Sequence, residues 1–281
     1  MSDLHALNEA INKRAGRKFL TSIAIAIILL AIIFSTLAFA PFLFALVVTL
    51  AFAIASHELI AAHAQKGSSL AHWPIVIANA AIMITAWFQG TNGIVIATAI
   101  AFVLNLVITL FKGPEGFVSR VSATAFGILY LGSLPSFIIL LAADSDGFAL
   151  ISVLVMVVAF NDTFAYFTGV LIGKHRMAPK LSPKKSWEGF IGGAIATLAI
   201  TGYAFEALLE KPWWLGVGAG LLGVLAATFG DLIESALKRD FGIKDMSSFL
   251  PGHGGMFDRI DSATLCGPAL WIFLELTKAV A

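Results

Sequence analysis

The chain has 281 residues, 59% of them hydrophobic and only 12% charged, with a net charge of +1. Ordinary globular proteins carry about a quarter charged residues, so this composition excludes a soluble globular domain and points to an all-α, polytopic integral membrane protein. The near-zero net charge gives no sign of nucleic acid or another charged partner.

A bilayer core takes about 20 mainly apolar residues per helix. Such stretches fall at 19–40, 42–62, 72–89, 93–111, 121–143, 148–172, 189–208, 213–236 and 262–280, which predicts nine spans. Phe39, Ala40 and Pro41 join the first two so tightly that they must form a hairpin. The basic start, apolar run and "AFA" at 38–40 resemble a signal peptide, but the run is longer than usual and another span follows directly. Retention is therefore expected. The only cysteine, Cys266, lies in the ninth span and can form no intrachain disulfide.

Lys and Arg collect on the cytoplasmic side of membrane proteins. With the N-terminus inside, Lys13, Arg14, Arg17, Lys18, Lys66, Lys112, Arg120, Lys174, Arg176, Lys180, Lys184, Lys185, Lys238, Arg239, Lys244 and Arg259 all fall inside, leaving only Lys211 and Lys278 outside. An incorrect span count would scramble this segregation. No linker, low-complexity tract or internal repeat divides the chain. Residues 1–281 read as one membrane domain: a cytoplasmic segment 1–18, N-terminal helices over 19–143, and C-terminal helices with cytoplasmic loops over 148–281. The inside loops 173–188 and 237–261 are the long ones, and any chemistry belongs there. In spans seven and eight, Gly189 with Gly193 and Gly216 with Gly220 have the spacing that lets membrane helices approach closely, so these two spans are expected to pack tightly.

In the sixth span Asp162, Tyr166, Gly169 and Gly173 recur on one helical face, and an intramembrane aspartate usually points inward to a function or a partner helix. In "KLSPKKSWEGF", residues 180–190, Ser182 followed by Pro183 reads as a helix N-cap with proline at the first position. That places Lys184 and Lys185 in the first turn, against the helix dipole. Either an anion such as a phosphate resolves the conflict, or the lysines touch lipid headgroups. Where span eight leaves the membrane, Asp231, Ser235 and Lys238 share a face with Glu234 beside them, which also allows a plain Glu234–Lys238 pair.

Asp258 and Asp261 follow one turn apart, after a loop whose Gly252, Gly254 and Gly255 permit close backbone approach to a ligand. Carboxylates about 4 Å apart repel by roughly 4 kcal/mol at an effective dielectric of 20. Asp231, Asp258 and Asp261 would thus converge only around a cation, and hard oxygen ligands favour Mg²⁺ over Zn²⁺. His253 has no second histidine nearby to support zinc. Divalent-metal ligands, a lysine-rich anion site, a glycine-rich loop and a membrane groove on one face suit polyphosphate chemistry on a lipid.

Residues 235–261, "SALKRDFGIKDMSSFLPGHGGMFDRID", resemble the signature of phosphatidate cytidylyltransferases, or CDP-diacylglycerol synthases. Ser235, Lys238, Arg239, Lys244, Asp245, Pro251, His253, Gly254, Gly255, Asp258, Arg259 and Asp261 stand at that family's spacing. "NDTFAYFTGVLIGKH" (161–175) and "LSPKKSWEG" (181–189) are similar to two further family segments. The resemblance implies transfer of CMP from CTP to phosphatidate, giving CDP-diacylglycerol and pyrophosphate in phospholipid biosynthesis. It implies Asp231 and Asp258 as metal ligands supported by Asp261, with Mg²⁺ as two divalent ions or one divalent plus one monovalent cation. Lys238, Arg239 and Arg259 would balance the triphosphate, Ser182, Lys184, Lys185 and Ser186 would contact substrate phosphates, and Asp162 and Tyr166 would line the cavity. Ser235, Lys244, His253, Gly254 and Gly255 would complete the substrate site.

The expected setting is a bacterial inner membrane with the site facing the cytoplasm, and the resemblance further implies a homodimer. "SHELIAAH" (56–63) departs from the family pattern, where aromatic residues follow the glutamate. A CTP-dependent polyprenol-type kinase is the nearest alternative, and a secondary transporter a more distant one that lacks the usual paired broken helices.

Overall fold

The computed structural model describes residues 19–67, 70–249 and 254–278. The 1–18 segment and His253 lie outside the described residues, as do Pro251 and Gly252. The described chain is almost entirely helical. α1 (Phe19–Phe39) passes through Ala40 alone into α2 (Pro41–Gln65), whose first residue is the proline. This is the expected hairpin, with Pro41 placed where its missing N–H costs nothing.

α3 (His72–Leu110) runs for 39 residues but breaks at Gly90, with φ 62° and ψ −145°. The Thr85 hydroxyl lies 3.3 Å from the carbonyl oxygen of Gly93, whereas residues eight apart in a straight helix are about 12 Å apart along the axis. The chain therefore folds back there into two arms, 72–89 and 91–110, close to the stretches 72–89 and 93–111 read from the sequence. α4 (Phe117–Ile128) widens into a π-helical turn over Leu129–Ser133 and resumes as α5 (Ser136–Ala143).

Four helices make the second half: α6 (Gly147–Ile172), α7 (Trp187–Leu209), α8 (Trp213–Phe241) and α9 (Phe257–Thr277). Six helical stretches among the described residues are long and apolar enough to cross a membrane, so the protein is an integral membrane protein. Glycines set the helix separations. A Cβ on Gly216 would sit 2.3 Å from the Thr201 carbonyl oxygen, which brings α8 against α7, while one on Gly193 would sit 2.7 Å from that of Asn161 in α6. Spans seven and eight do pack tightly, but through Gly216 and Gly220; Gly189 and Gly193 serve the α6–α7 contact instead. At the α8–α9 crossing a Cβ on Gly230 would lie 2.5 Å from the Asp261 carbonyl oxygen.

One expectation is overturned between α6 and α7. Residues Ser182–Ser186 form a strand, β2, paired antiparallel with β1 (Arg176–Ala178), with Arg176 opposite Ser186 and Ala178 opposite Ser182. α7 starts only after this hairpin, and its cap is Ser186, whose hydroxyl accepts from the Gly189 amide at 3.2 Å. Ser182 is therefore no cap, and Lys184 and Lys185 lie on a strand, outside the first turn. The physical reason is that Ser186 has a competing signal of equal strength with Glu188 in the first turn, the sign that the helix dipole favours. Glu188 also accepts from the amides of Lys174 at 3.1 Å and His175 at 3.2 Å, tying the hairpin's entry to the helix start.

Candidate active site

The α8 helix projects the acidic face that its sequence period requires. Ser235 Oγ lies 3.4 Å from Asp231 Oδ1, and Lys238 pairs with Glu234 one turn before it. That pair is no surface ornament, because the Glu234 side chain is 2% exposed and Lys238 reaches onward to Asp258 Oδ1 at 2.9 Å. Because α9 crosses α8 at Gly230, Asp261 comes onto the same spot. Ligand oxygens of Asp231, Glu234 and Asp261 lie within 4.8 Å of one another.

Three carboxylates at that separation repel pairwise by about 3 kcal/mol at an effective dielectric of 20. Lys185, on β2, pairs with Asp231, and Lys238 pairs with Glu234, so two cations partly offset the crowding. Glu234 Oε1 is nonetheless buried without a hydrogen-bond partner. An all-oxygen donor set with one orphaned buried carboxylate oxygen fits a hard divalent cation such as Mg²⁺.

Asp258 has a different place. Besides Lys238, it accepts from the amides of Met246 at 3.0 Å and Gly255 at 2.7 Å, so its oxygens fasten the loop between α8 and α9. The expected trio was Asp231, Asp258 and Asp261; the ligand oxygens that converge within 4.8 Å are those of Asp231, Glu234 and Asp261, while the Asp258 carboxylate sits within hydrogen-bonding reach of Glu234 and shares Lys238 with it.

Beside the trio lies a cavity of about 560 Å³, with Asp231 in its wall. The predicted stripe of α6 supplies one side: Asp162, Tyr166, Gly169 and Gly173 all line it. The hairpin supplies the cations Arg176, Lys184 and Lys185, with Ser186 at the helix start. Val170, Met177 and Phe190 form an apolar wall. The cavity thus joins a cationic end and a carboxylate corner to an apolar side, as an amphiphile with a phosphate head requires.

The remaining predicted residues stand around this centre. Arg239 donates from Nε to the Leu181 carbonyl at 3.3 Å, holding the hairpin tip on α8. Ser182 pairs across from Ala178 at that tip, outside the set that lines the cavity. Lys244 is exposed on the loop and Arg259 on the first turn of α9. Gly254 has φ +82°, and a Cβ there would sit 2.7 Å from Asp258 Oδ2; on Gly255 it would sit 2.6 Å from Glu58 Oε2. What approaches these glycines in the structure is the protein's own carboxylates.

Sequence reasoning met Glu58, the one acidic residue of α2, only as the glutamate of "SHELIAAH" and gave it no role at the site, although an ionisable group in an apolar helix is itself a signal. It also passed over Arg176 and Tyr130. Tyr130 is 4% exposed and sits in the π-helical turn, a feature common at functional sites, with a hydroxyl that has no partner. Asp261, Glu234 and Asp231 are the charges that act on it.

Comparison with known proteins matches residues 20–277 to the model of the "Cytidylyltransferase family". The chain is 33% identical over 276 residues to the phosphatidate cytidylyltransferase of Mycobacterium bovis, covering 94% of this chain and 90% of that one. It is 31% identical to the Thermotoga maritima protein of the same name, over 81% of this chain and 86% of the other. Similarity extends to the phosphatidate cytidylyltransferase 4 of Arabidopsis thaliana chloroplasts, 32% identical over 69% of this chain and 55% of that protein.

Proposed function

The chain belongs to the cytidylyltransferase family, and from that premise we propose that it joins CTP to phosphatidate, forming CDP-diacylglycerol and pyrophosphate. The observation that carries the reading is that Asp231 belongs at once to the carboxylate trio and to the wall of a cavity with a cationic end and an apolar side. The apolar wall at Val170, Met177 and Phe190 accepts the upper acyl chains, while Lys184, Lys185 and Arg176 receive phosphates. An oxygen of the lipid phosphate attacks the α-phosphorus of CTP. As that P–O bond forms, the bond from the α-phosphorus to the oxygen bridging the β-phosphorus breaks, and pyrophosphate leaves with the electron pair.

The lipid phosphate is already ionised near neutral pH, so no side chain must remove a proton. Catalysis rests on positioning and on charge placed where it develops. Asp231, Glu234 and Asp261 would hold Mg²⁺, which neutralises the triphosphate and the departing pyrophosphate. Lys185 and Lys238, now paired with the trio, would be released to phosphate oxygens once the carboxylates are otherwise engaged. Asp162 faces the same cavity across from Lys185 and would orient that lysine.

We further propose that nine segments cross the bilayer, counting the two arms of α3 separately, with the N-terminus and the site on the cytoplasmic side of a bacterial inner membrane, and that the protein is a homodimer. The ties among α2, α8, α9 and the hairpin support one such face, since Lys66, Lys185, Lys238 and Arg239 meet their partners at one end of the bundle.

The deciding experiment supplies purified protein with phosphatidate and CTP labelled at either the α- or the γ-phosphate. Entry of α-label into lipid is the expected result. Entry of γ-label alone would instead identify a lipid kinase.

A further inference from the structure

The loop between α8 and α9 is tied at both ends to α2, an element of the N-terminal half that the chemistry above does not use. At the loop's start, Lys66 Nζ lies 2.9 Å from Asp240 Oδ2 and 5.6 Å from the centre of the Phe241 ring, which His63 also meets edge-on at 4.8 Å. At its end stands Glu58, only 3% exposed. One carboxylate oxygen accepts from the Met256 amide at 2.9 Å and the Ser247 hydroxyl at 2.5 Å; the other accepts from the Phe257 amide at 2.9 Å.

Among the described residues no cation pairs with Glu58. Its charge is held instead by the first amides of α9, where the helix dipole favours an anion. Three consecutive amides are thus divided between two carboxylates, Gly255 donating to Asp258 while Met256 and Phe257 donate to Glu58. Moving one carboxylate must move the helix start that the other also holds. From Asp258 the connection continues through Lys238 to Glu234. Along α9 it continues to Asp261, one turn on.

We propose that Glu58 is a positioning residue for nucleotidyl transfer: it fixes the start of α9, and through Asp258 and Lys238 it fixes where Glu234 and Asp261 stand. This rests on the reading of the trio given above.

The test compares full-length wild type with Glu58→Gln and Ser247→Ala, measuring CTP turnover as a function of Mg²⁺ and amide hydrogen exchange across residues 245–257. Glu58→Gln keeps the shape but loses the charge at the helix start. Groups that orient metal ligands typically contribute about 10- to 100-fold to metal affinity or activity. The expected result is therefore a fall of that order in kcat, a raised Mg²⁺ requirement partly rescued by excess Mg²⁺, and exchange about tenfold faster or more. Ser247→Ala, which leaves the buried charge in place, should shift the same quantities in the same direction by less.

Faster exchange with wild-type kcat and Mg²⁺ dependence would reduce Glu58 to a purely structural strut and overturn the proposal. So would unchanged exchange. If Glu58→Gln fails to fold, Ser247→Ala decides by the same criteria. Absence of CTP turnover in the wild type would sink the functional reading, and the exchange data alone would then decide whether the brace exists.

Discussion

Five carboxylates meet near the junction of α8 and α9, and they divide into two regions. Glu58 and Asp258 spend their oxygens on amides of the loop and of the α9 start, at 2.7–3.0 Å. Asp231, Glu234 and Asp261 face one another, with Lys185 and Lys238 as partial compensation and one buried oxygen unpaired. The residue types are the same. What differs is how far fixed dipoles satisfy the charge: among the described residues the first pair accepts from four amides, whereas the trio accepts from one, that of Ser262 to Asp261 at 2.7 Å. The first pair stabilises the fold by being charged, whereas the trio is costly to the fold, a cost that the Mg²⁺ proposed above would offset.

This difference gives opposite signs on stability, and the largest expected effects test it. Asp231→Asn and Asp261→Asn should each lower kcat/KM by about 100- to 1,000-fold, the scale of losing a main electrostatic contribution to the transition state. Neither should lower Tm measured without divalent cation, because each removes two pairwise repulsions of about 3 kcal/mol each within the trio, which outweighs the partly exposed Lys185 pair that Asp231→Asn also gives up. Mg²⁺ should raise the Tm of wild type by more than that of either variant. A marked loss of Tm in the variants without metal would erase the distinction between the two regions.

Much of this site was legible from the sequence because its periodicity is local. Asp162, Tyr166, Gly169 and Gly173 line one cavity wall as the helical repeat requires, and Asp231, Glu234 and Lys238 fall on the same side of α8 for the same reason. The family pattern over 235–261 located the loop. What the sequence could not show is which of two aspartates one turn apart faces the trio, since that depends on the angle at which α9 leaves the loop. The angle is set by Glu58, 198 positions before the Met256 amide that it holds. The hairpin at 176–186 was likewise hidden: two strands of three and five residues carry too short a pattern, and Ser182–Pro183 is as good a cap signal locally as Ser186. Pairing with β1 decided between them.

Asp258→Asn is the next largest effect and the complement of the first. It breaks a buried pair with Lys238, whose partner is 5% exposed, and weakens two amide bonds. Removing one member of a buried pair costs about 3–5 kcal/mol, or a Tm lower by roughly 6–20 °C at the roughly 2–4 °C per kcal/mol of chains near this size. Activity should fall with stability, by less than in the trio variants. Circular dichroism melting beside CTP turnover measures both. If Asp258→Asn matches Asp261→Asn in activity and keeps its Tm, Asp258 belongs with the metal ligands and the division drawn here is wrong.

Gly230→Ala probes the crossing that brings the trio together. Its Cβ would sit 2.5 Å from the Asp261 carbonyl oxygen, and backbone cannot swing aside as a flexible side chain can. Overpacking of this kind costs about 1–3 kcal/mol. Because α8 and α9 must separate slightly, the spacing of Asp231, Glu234 and Asp261 should loosen, and the Mg²⁺ concentration for half-maximal activity should rise several-fold. An unchanged Mg²⁺ requirement with a lowered Tm would show that the trio tolerates a wider crossing.

The smallest expected effects separate the two serines of the hairpin, and they bear on the cationic end rather than the acidic corner. Ser186 both caps α7 and lines the cavity, and its Oγ would lie 2.6 Å from a Cβ on Gly173, so α6, the hairpin and α7 meet on that one hydroxyl. Loss of an N-cap serine costs about 1 kcal/mol, so Ser186→Ala should lower Tm by a few degrees and, by freeing the strand that carries Lys184 and Lys185, raise KM for CTP a few-fold. Ser182, at the far end of β2, does neither job, and Ser182→Ala should change both quantities less than Ser186→Ala does. The reverse order would mean that the tip of the hairpin, held on α8 by Arg239, folds over the bound nucleotide.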